Sequence, residues 1–239
     1  MHFPHLLTWL SQISDWPMKL ELPNPSLEAV INRKKYFEKL WIDVKDVVSA
    51  EIVHSNKIAV VTKENAWEII AWVDGLITNE PNLFLSVTIA DCVPIYFYDD
   101  IKKVIWITHA WWRWITSDIT KSMVDNFVNE YNSNPEDIFV YVGPHIQKCH
   151  FEIKEDIVDK FPDKFVLRTR PVLSSDWKTG LYVDLLWIIR DKLEKLGLKS
   201  ENISSSLECT YCESSKYFSF RRDKPEKVEA MVGVIGMRE

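Results

Sequence analysis

Glycine is what this chain lacks. Six glycines in 239 residues fall far below the roughly 17 that average usage gives for this length. An excess of basic charge is also missing: the net charge of -6 argues against the clustered lysine and arginine footprint of a nucleic-acid-binding surface. No apolar run reaches the ~20 residues that a membrane-spanning helix needs. No Pro/Gly/Ser-rich linker, low-complexity tract or internal repeat divides the sequence, so it reads as one domain over residues 1–239. The first nine residues lack a basic leader and carry Pro4, which predicts no signal peptide. Four cysteines are too few for a disulfide scaffold. Together these features predict a cytoplasmic protein with free thiols.

Eleven tryptophans balance the deficit, and they stand where glycine belongs. Asp15-Trp16-Pro17 and Asp176-Trp177-Lys178-Thr179-Gly180 read as turns in which tryptophan occupies a glycine position. The chain carries its own comparison. Glu194-Lys195-Leu196-Gly197-Leu198 closes a helix with a C′ glycine, and Glu38-Lys39-Leu40-Trp41-Ile42 repeats the phrase with tryptophan in its place. Trp9, Trp67, Trp72, Trp106, Trp111, Trp114 and Trp187 join the set, leaving Trp112 as the true tryptophan. Restoring ten glycines brings the count close to average usage. The pattern is that of a gene using UGA for glycine, translated with UGA as tryptophan. The alternative is an unusually tryptophan-rich core or binding surface, and UGG codons at Trp41 or Trp111 would decide for it.

The stretch Ala90-Asp91-Cys92-Val93-Pro94, followed by Thr108-His109-Ala110-Trp111-Trp112-Arg113, organises the rest. Residues 93–98 and 104–108 are apolar, β-branched and aromatic runs joined by the polar Asp99-Asp100-Ile101-Lys102-Lys103. This predicts an antiparallel hairpin that brings Cys92 near His109. Upstream, apolar-rich residues 47–53 and 57–62 flank His54-Ser55-Asn56, which predicts His54 at a hairpin tip or a strand end. Two imidazoles and a thiolate form an N/S donor set suited to zinc, with a fourth position left for water or substrate. The plainer alternative is that Cys92 packs as a small apolar residue beside a hydrogen-bonded core His109. Asp91 is a candidate to orient a ligand histidine or handle a proton. Arg113, just before a helix predicted over 115–131, makes with that helix start an anion cradle that suits phosphate.

Elsewhere, Ser26 is the predicted N-cap of a helix running through Glu38. Residues 137–142 read as a strand ending in Gly143-Pro144-His145-Ile146-Gln147, a turn whose backbone and Gln147 amide are candidates to line a pocket. Residues 151–161 and 181–196 read as helices, 165–170 and 228–237 as strands. Residues 217–222 alternate like a strand and end in Arg221-Arg222, which either bind an anion or cap a sheet edge. His145, Cys149 and His150 suggest a second metal group only weakly. Cys209-Thr210-Tyr211-Cys212 lacks the second pair of a zinc ribbon and the setting of a redox motif.

With the glycines restored, an ordered series appears: Asp74-Gly75-Leu76-Ile77-Thr78, Ala90-Asp91-Cys92-Val93-Pro94-Ile95, His109-Ala110-(Gly)-Trp112-Arg113-(Gly), Gly143-Pro144-His145-Ile146 with Phe151-Glu152-Ile153, and Phe218-Ser219-Phe220-Arg221-Arg222. Over nearly its whole length the chain resembles the YfiH-like laccase-domain family, described as polyphenol oxidases, purine nucleoside phosphorylases and peptidoglycan-editing factors. Tryptophan at position 112 belongs to that pattern. The resemblance implies an α/β fold, a single-domain four-layer α-β-β-α sandwich with mixed sheets. It implies a metal site at His54, Cys92 and His109, usually zinc, with copper as the alternative. It also implies phosphorolysis of adenosine, inosine and methylthioadenosine, with adenosine deaminase activity alongside. The expected partners are purine nucleosides and phosphate, with neither nucleic acid nor membrane; nothing in the pattern specifies an oligomeric state. On this reading Cys92, His54, His109, Asp91 and Arg113 are the catalytic candidates, and Arg113, Gly143, Pro144, Gln147, Arg221 and Arg222 the substrate-binding ones. Two rivals stay open: a metal-independent hydrolase with Cys92 as nucleophile and His109 as base, for example editing peptidoglycan precursors, and a copper-dependent polyphenol oxidase.

Overall fold

Val93–Asp99 and Val104–Ala110 pair antiparallel, with Pro94 opposite His109 and Val93 opposite Ala110. Every residue of both strands is buried, which is why they read as unbroken apolar runs and not as an alternation. The Asp99 carboxylate closes the connection by accepting from the backbone N–H groups of Ile101 and Lys102. The computed structural model describes residues 3–20, 25–116, 119–169 and 179–239. This hairpin lies inside a six-stranded sheet ordered Ile203–Ser205, Ile138–Val142, Val93–Asp99, Val104–Ala110, Gly75–Thr78, Ile58–Val60. A five-stranded sheet runs Leu6–Leu10, Met231–Met237, Phe84–Ile89, Val47–Ala50, Ile69–Ile70. A smaller sheet joins Glu152–Ile153, Thr179–Val183 and Val166–Thr169. Parallel and antiparallel pairs coexist in both large sheets, so the fold is α/β with mixed sheets.

The two large sheets face each other: Leu85, Ile89 and Ile235 from one meet Tyr96, Ile105 and Ile107 from the other. On the outer face of the five-stranded sheet, helix Leu27–Lys39 lays Tyr36 and Phe37 against Phe84, Val232 and Val234. Its first turn is closed by Ser26, whose Oγ accepts from the Ala29 N–H at 3.2 Å. On the outer face of the six-stranded sheet, helices Ile119–Tyr131 and Leu185–Lys195 bring Phe127 and Ile189 against Ile95 and Phe97.

Several local expectations give way to tertiary pairing. Residues on either side of His54 do not form a hairpin. Val47–Ala50 pairs with Phe84–Ile89 and Ile58–Val60 with Gly75–Thr78, so His54 lies on a crossing between the two sheets. The stretch 151–161 is a two-residue strand and a 3-10 turn, Glu155–Lys160. The helix expected over 181–196 starts only at Leu185, after the strand Thr179–Val183. The helix expected over 115–131 is two helices, Trp112–Thr116 and Ile119–Tyr131. Residues 220–223 turn into a short helix capped by Ser219, not the end of a strand.

Four of the tryptophans hold backbone conformations that favour glycine. Trp16, Trp41, Trp67 and Trp72 have φ of 61, 58, 74 and 60°, a region that costs a residue with a Cβ roughly 1–2 kcal/mol. The two matched helix ends close alike. Ile42 N–H bonds to Phe37 O as Leu198 N–H bonds to Leu193 O, with Trp41 at φ 58° where Gly197 has 94°. The Trp41 ring is 88% exposed. Trp106 is the reverse case: it is buried, and its Nε1 has no hydrogen-bond partner. Trp177 lies outside the described residues.

Candidate metal centre

Three elements converge on one point. Cys92 precedes the first residue of Val93–Asp99, His109 lies one residue before the end of Val104–Ala110, and His54 lies on the inter-sheet crossing with φ 55°. One donor atom from each of the three lies within 4.8 Å of the others. The His54 and His109 rings are 4.9 Å apart between centroids. Two ring nitrogens and a sulfur, half-open to solvent on the His54 side, fit a zinc-type ion with an open position.

The carboxylate behind these ligands is Asp74, not Asp91. Asp74 is fully buried and its Oδ1 lies 3.2 Å from His109 Nδ1. The same Oδ1 accepts from the His54 backbone N–H, while Oδ2 accepts from the Ser55 N–H and hydroxyl. One side chain therefore sets the His109 tautomer, leaving Nε2 as donor, and fixes the loop that carries His54. Burial alone would raise the Asp74 carboxyl, but hydrogen bonds from His109 and Ser55 hold it below the usual carboxylate range. Burial likewise pushes His109 down, yet the Cys92 sulfur and Asp74 outweigh it and raise the imidazole to about 9. His54 is pushed down by burial and by the neighbouring His109. Zinc binding near neutral pH is expected to release protons, read by calorimetry in buffers of different ionisation enthalpy; heats independent of buffer would contradict this.

Asp74→Asn should weaken zinc binding about 10–100-fold, measured by competition with a chelator. The amide NH2 would then face two Ser55 donors that the carboxylate now satisfies. Asp74 was missed from local pattern because its partners are 19 to 35 residues away; its only sequence signal was the Asp74-Gly75 motif.

Asp91 serves a different place. Its oxygens accept from Thr210 Oγ1 at 2.6 Å, Ser219 Oγ at 3.0 Å and the Arg221 N–H at 2.6 Å, so it ties the Cys92 turn to the C-terminal loops. Beside Cys92 lies a cavity of about 260 Å³ whose lining includes Asp91, Trp112, Phe151, Phe220 and Arg221. Arg221 Nη1 donates to the carbonyls of His150 and Glu152. Arg222 is spent on structure, donating to the carbonyls of Thr210, Tyr211 and Tyr217 and pairing with Asp223. Arg113 is the second residue of a five-residue helix, not a residue ahead of a long one. Its guanidinium stacks on Trp111 and Trp112, 4.6 and 5.2 Å from the ring centroids. Trp111 in turn lies 4.9 Å from the His54 ring. Gly143 packs on Pro94 and Tyr96, with Pro144 buried beside it, and the residue of this turn that lines the cavity is Ile146. The Gln147 amide is directed to the Glu208 carbonyl.

Among the described residues no helix is long and apolar enough to cross a membrane. The family described as multi-copper polyphenol oxidoreductase laccase matches residues 25–238. Purine nucleoside phosphorylase YlmD of Bacillus subtilis (strain 168) is 32% identical over 233 residues, covering 92% of this chain and 81% of that protein. Adenosine deaminase RL5, from an unknown prokaryotic organism, is 29% identical over 192 residues, 77% of this chain and 72% of its own length. The crystal structure of YlmD from Geobacillus stearothermophilus shares the fold with a TM-score of 0.86 at 30% identity, over 99% of this chain and 93% of that one. A match of this extent, in sequence and in fold, makes the chain a member of the multi-copper polyphenol oxidoreductase laccase family, whose named relatives are enzymes.

Proposed function

We propose that the chain is a purine nucleoside phosphorylase acting on adenosine, inosine and methylthioadenosine, with adenosine deaminase activity, at a zinc site on His54, Cys92 and His109. The observation that carries this reading is the donor set opening beside a cavity with aromatic walls and an arginine. Trp112, Phe151 and Phe220 offer flat apolar faces for a purine ring. Arg221, held by the Asp91 carboxylate through its own N–H, offers a guanidinium for phosphate. In phosphorolysis a phosphate oxygen forms a bond to ribose C1′ as the bond from C1′ to the base breaks, and the departing base takes up a proton. The chain's part is to orient phosphate against C1′ and to keep the base in an apolar slot. Zinc, when bound, would supply Lewis acidity and a more acidic water for deamination. Asp74 keeps the proton on His109 Nδ1, so the ring presents its other nitrogen to the site.

The test follows adenosine with and without phosphate, scoring adenine and inosine separately. Adenine formed only with phosphate supports phosphorolysis, and inosine formed in either condition supports deamination. Neither product would overturn the proposal.

The hydrolase reading has one observation in its favour, the Cys92 sulfur and a His109 ring nitrogen within 4.8 Å of each other. Activity that survives exhaustive chelation but is lost in Cys92→Ala would select it. The polyphenol oxidase reading rests on the family description; phenol oxidation at full rate without added copper would raise it above an incidental activity.

A further inference from the structure

We propose that Cys149, His150, Cys209 and Cys212 form a second metal site, a closed Cys3His zinc site distinct from His54, Cys92 and His109. Two weak sequence signals, Cys149-His150 and the C-x-x-C pair, meet in space. A donor atom from each of the four residues lies within 4.8 Å of the other three. Zn–S bonds of about 2.3 Å and Zn–N bonds of about 2.0–2.1 Å at tetrahedral angles require S···S separations of about 3.8 Å and S···N separations of about 3.5 Å. Cys149 Sγ and Cys212 Sγ are 3.7 Å apart. His150 Nδ1 lies 3.2 Å from Cys149 Sγ, 3.3 Å from Cys212 Sγ and 3.9 Å from Cys209 Sγ. The spacing is that of ligands around one small ion.

The surroundings suit thiolates. The Gln147 N–H is aimed at Cys209 Sγ at 3.4 Å. The His150 ring stacks on Tyr211, with centroids 3.9 Å apart and planes 15° from parallel, which holds Nδ1 toward the sulfurs. Soft sulfur with imidazole selects zinc over magnesium or calcium. Four protein ligands leave no open position, so the role is structural.

The placement explains what such an ion would do. It would clamp the segment that leads into Phe151 to the loop that carries Thr210. Thr210 bonds to Asp91 beside Cys92, and the His150 carbonyl accepts from Arg221. Both walls of the cavity would be fixed from outside the catalytic group.

The test uses the full chain and metal alone. Removing the first site with His54→Ala and Cys92→Ala together, which keeps the buried His109–Asp74 pair, should leave about one equivalent of zinc, measured by elemental analysis. Cobalt reconstitution of that protein should give an intense thiolate-to-metal charge-transfer band. Adding Cys212→Ala should abolish it. Adding Cys212→His instead should keep the metal and lower the band by about a third, since two thiolates remain of three; this variant keeps the test informative should the alanine protein fail to fold. A first-site variant that is folded but binds no metal would overturn the proposal. So would a wild-type protein in which peptide mapping finds Cys149 and Cys212 joined as a disulfide with no zinc bound.

Discussion

Cys92→Ala is expected to lower nucleoside turnover about 10³-fold and to remove the metal of the first site, while leaving thermal stability nearly unchanged. A Lewis-acidic ion contributes several kcal/mol to a transition state, and each 1.36 kcal/mol is tenfold in rate. Cys92 is the cleanest ligand to remove because it is only half-buried, so its truncation leaves little buried void. His109→Ala would be a poorer probe. It would leave the buried Asp74 carboxylate without its imidazole partner, and breaking a buried charged pair costs about 3–5 kcal/mol of stability. Turnover, zinc content and a thermal melt on the same preparation separate the possibilities. Loss of activity with zinc retained would move Cys92 from ligand to nucleophile. Unchanged activity with zinc lost would remove the ion from the chemistry altogether.

How much of this was legible in the sequence depends on how far apart the partners are. The hairpin carrying Cys92 and His109 was legible because its pairing is local, between runs apolar on both faces and joined by a five-residue stretch with four charged side chains. His54 was brought to the right neighbourhood by the wrong geometry. Its flanking strands looked like each other's partners, yet each is claimed by a different sheet, and local pattern carries no information about which sheet wins. The short helix at Arg221 was hidden because Phe218, Phe220 and their polar neighbours alternate as a strand does, while the Ser219 cap that bends the chain is a single residue. The Cys3His group was hidden most deeply. Its halves are separated by about sixty residues and are joined by the bridge between His145 and Cys209 and by the Gln147 contact. The tryptophan pattern, by contrast, was legible because turn chemistry is local: the closing bonds at Trp41 and Gly197 are made within six residues.

The second large effect concerns those tryptophans. Replacing Trp16, Trp41, Trp67 and Trp72 together with glycine is expected to stabilise the protein by about 4 kcal/mol, or roughly 10 °C in melting temperature for a chain of this size. Each of the four holds positive φ, where the Cβ costs roughly 1–2 kcal/mol and glycine costs only its extra freedom in the unfolded chain. Each ring is also more than half exposed, so little packing is lost in exchange. Trp112→Gly is the internal control and should do the opposite. Trp112 packs on Phe161 at 5.4 Å and helps line the cavity, so its removal should cost about 3 kcal/mol and weaken nucleoside binding. Trp106 is kept out of the set because its ring stacks on Phe127 inside the core, and glycine there would open a cavity in this chain as it stands. If the quadruple variant melts below the parent, backbone strain at these turns is not what the rings impose, and the glycine reading loses its physical support. If it melts well above while Trp112→Gly melts below, the two kinds of tryptophan are different in energy as well as in position, which no general preference for aromatic residues would produce.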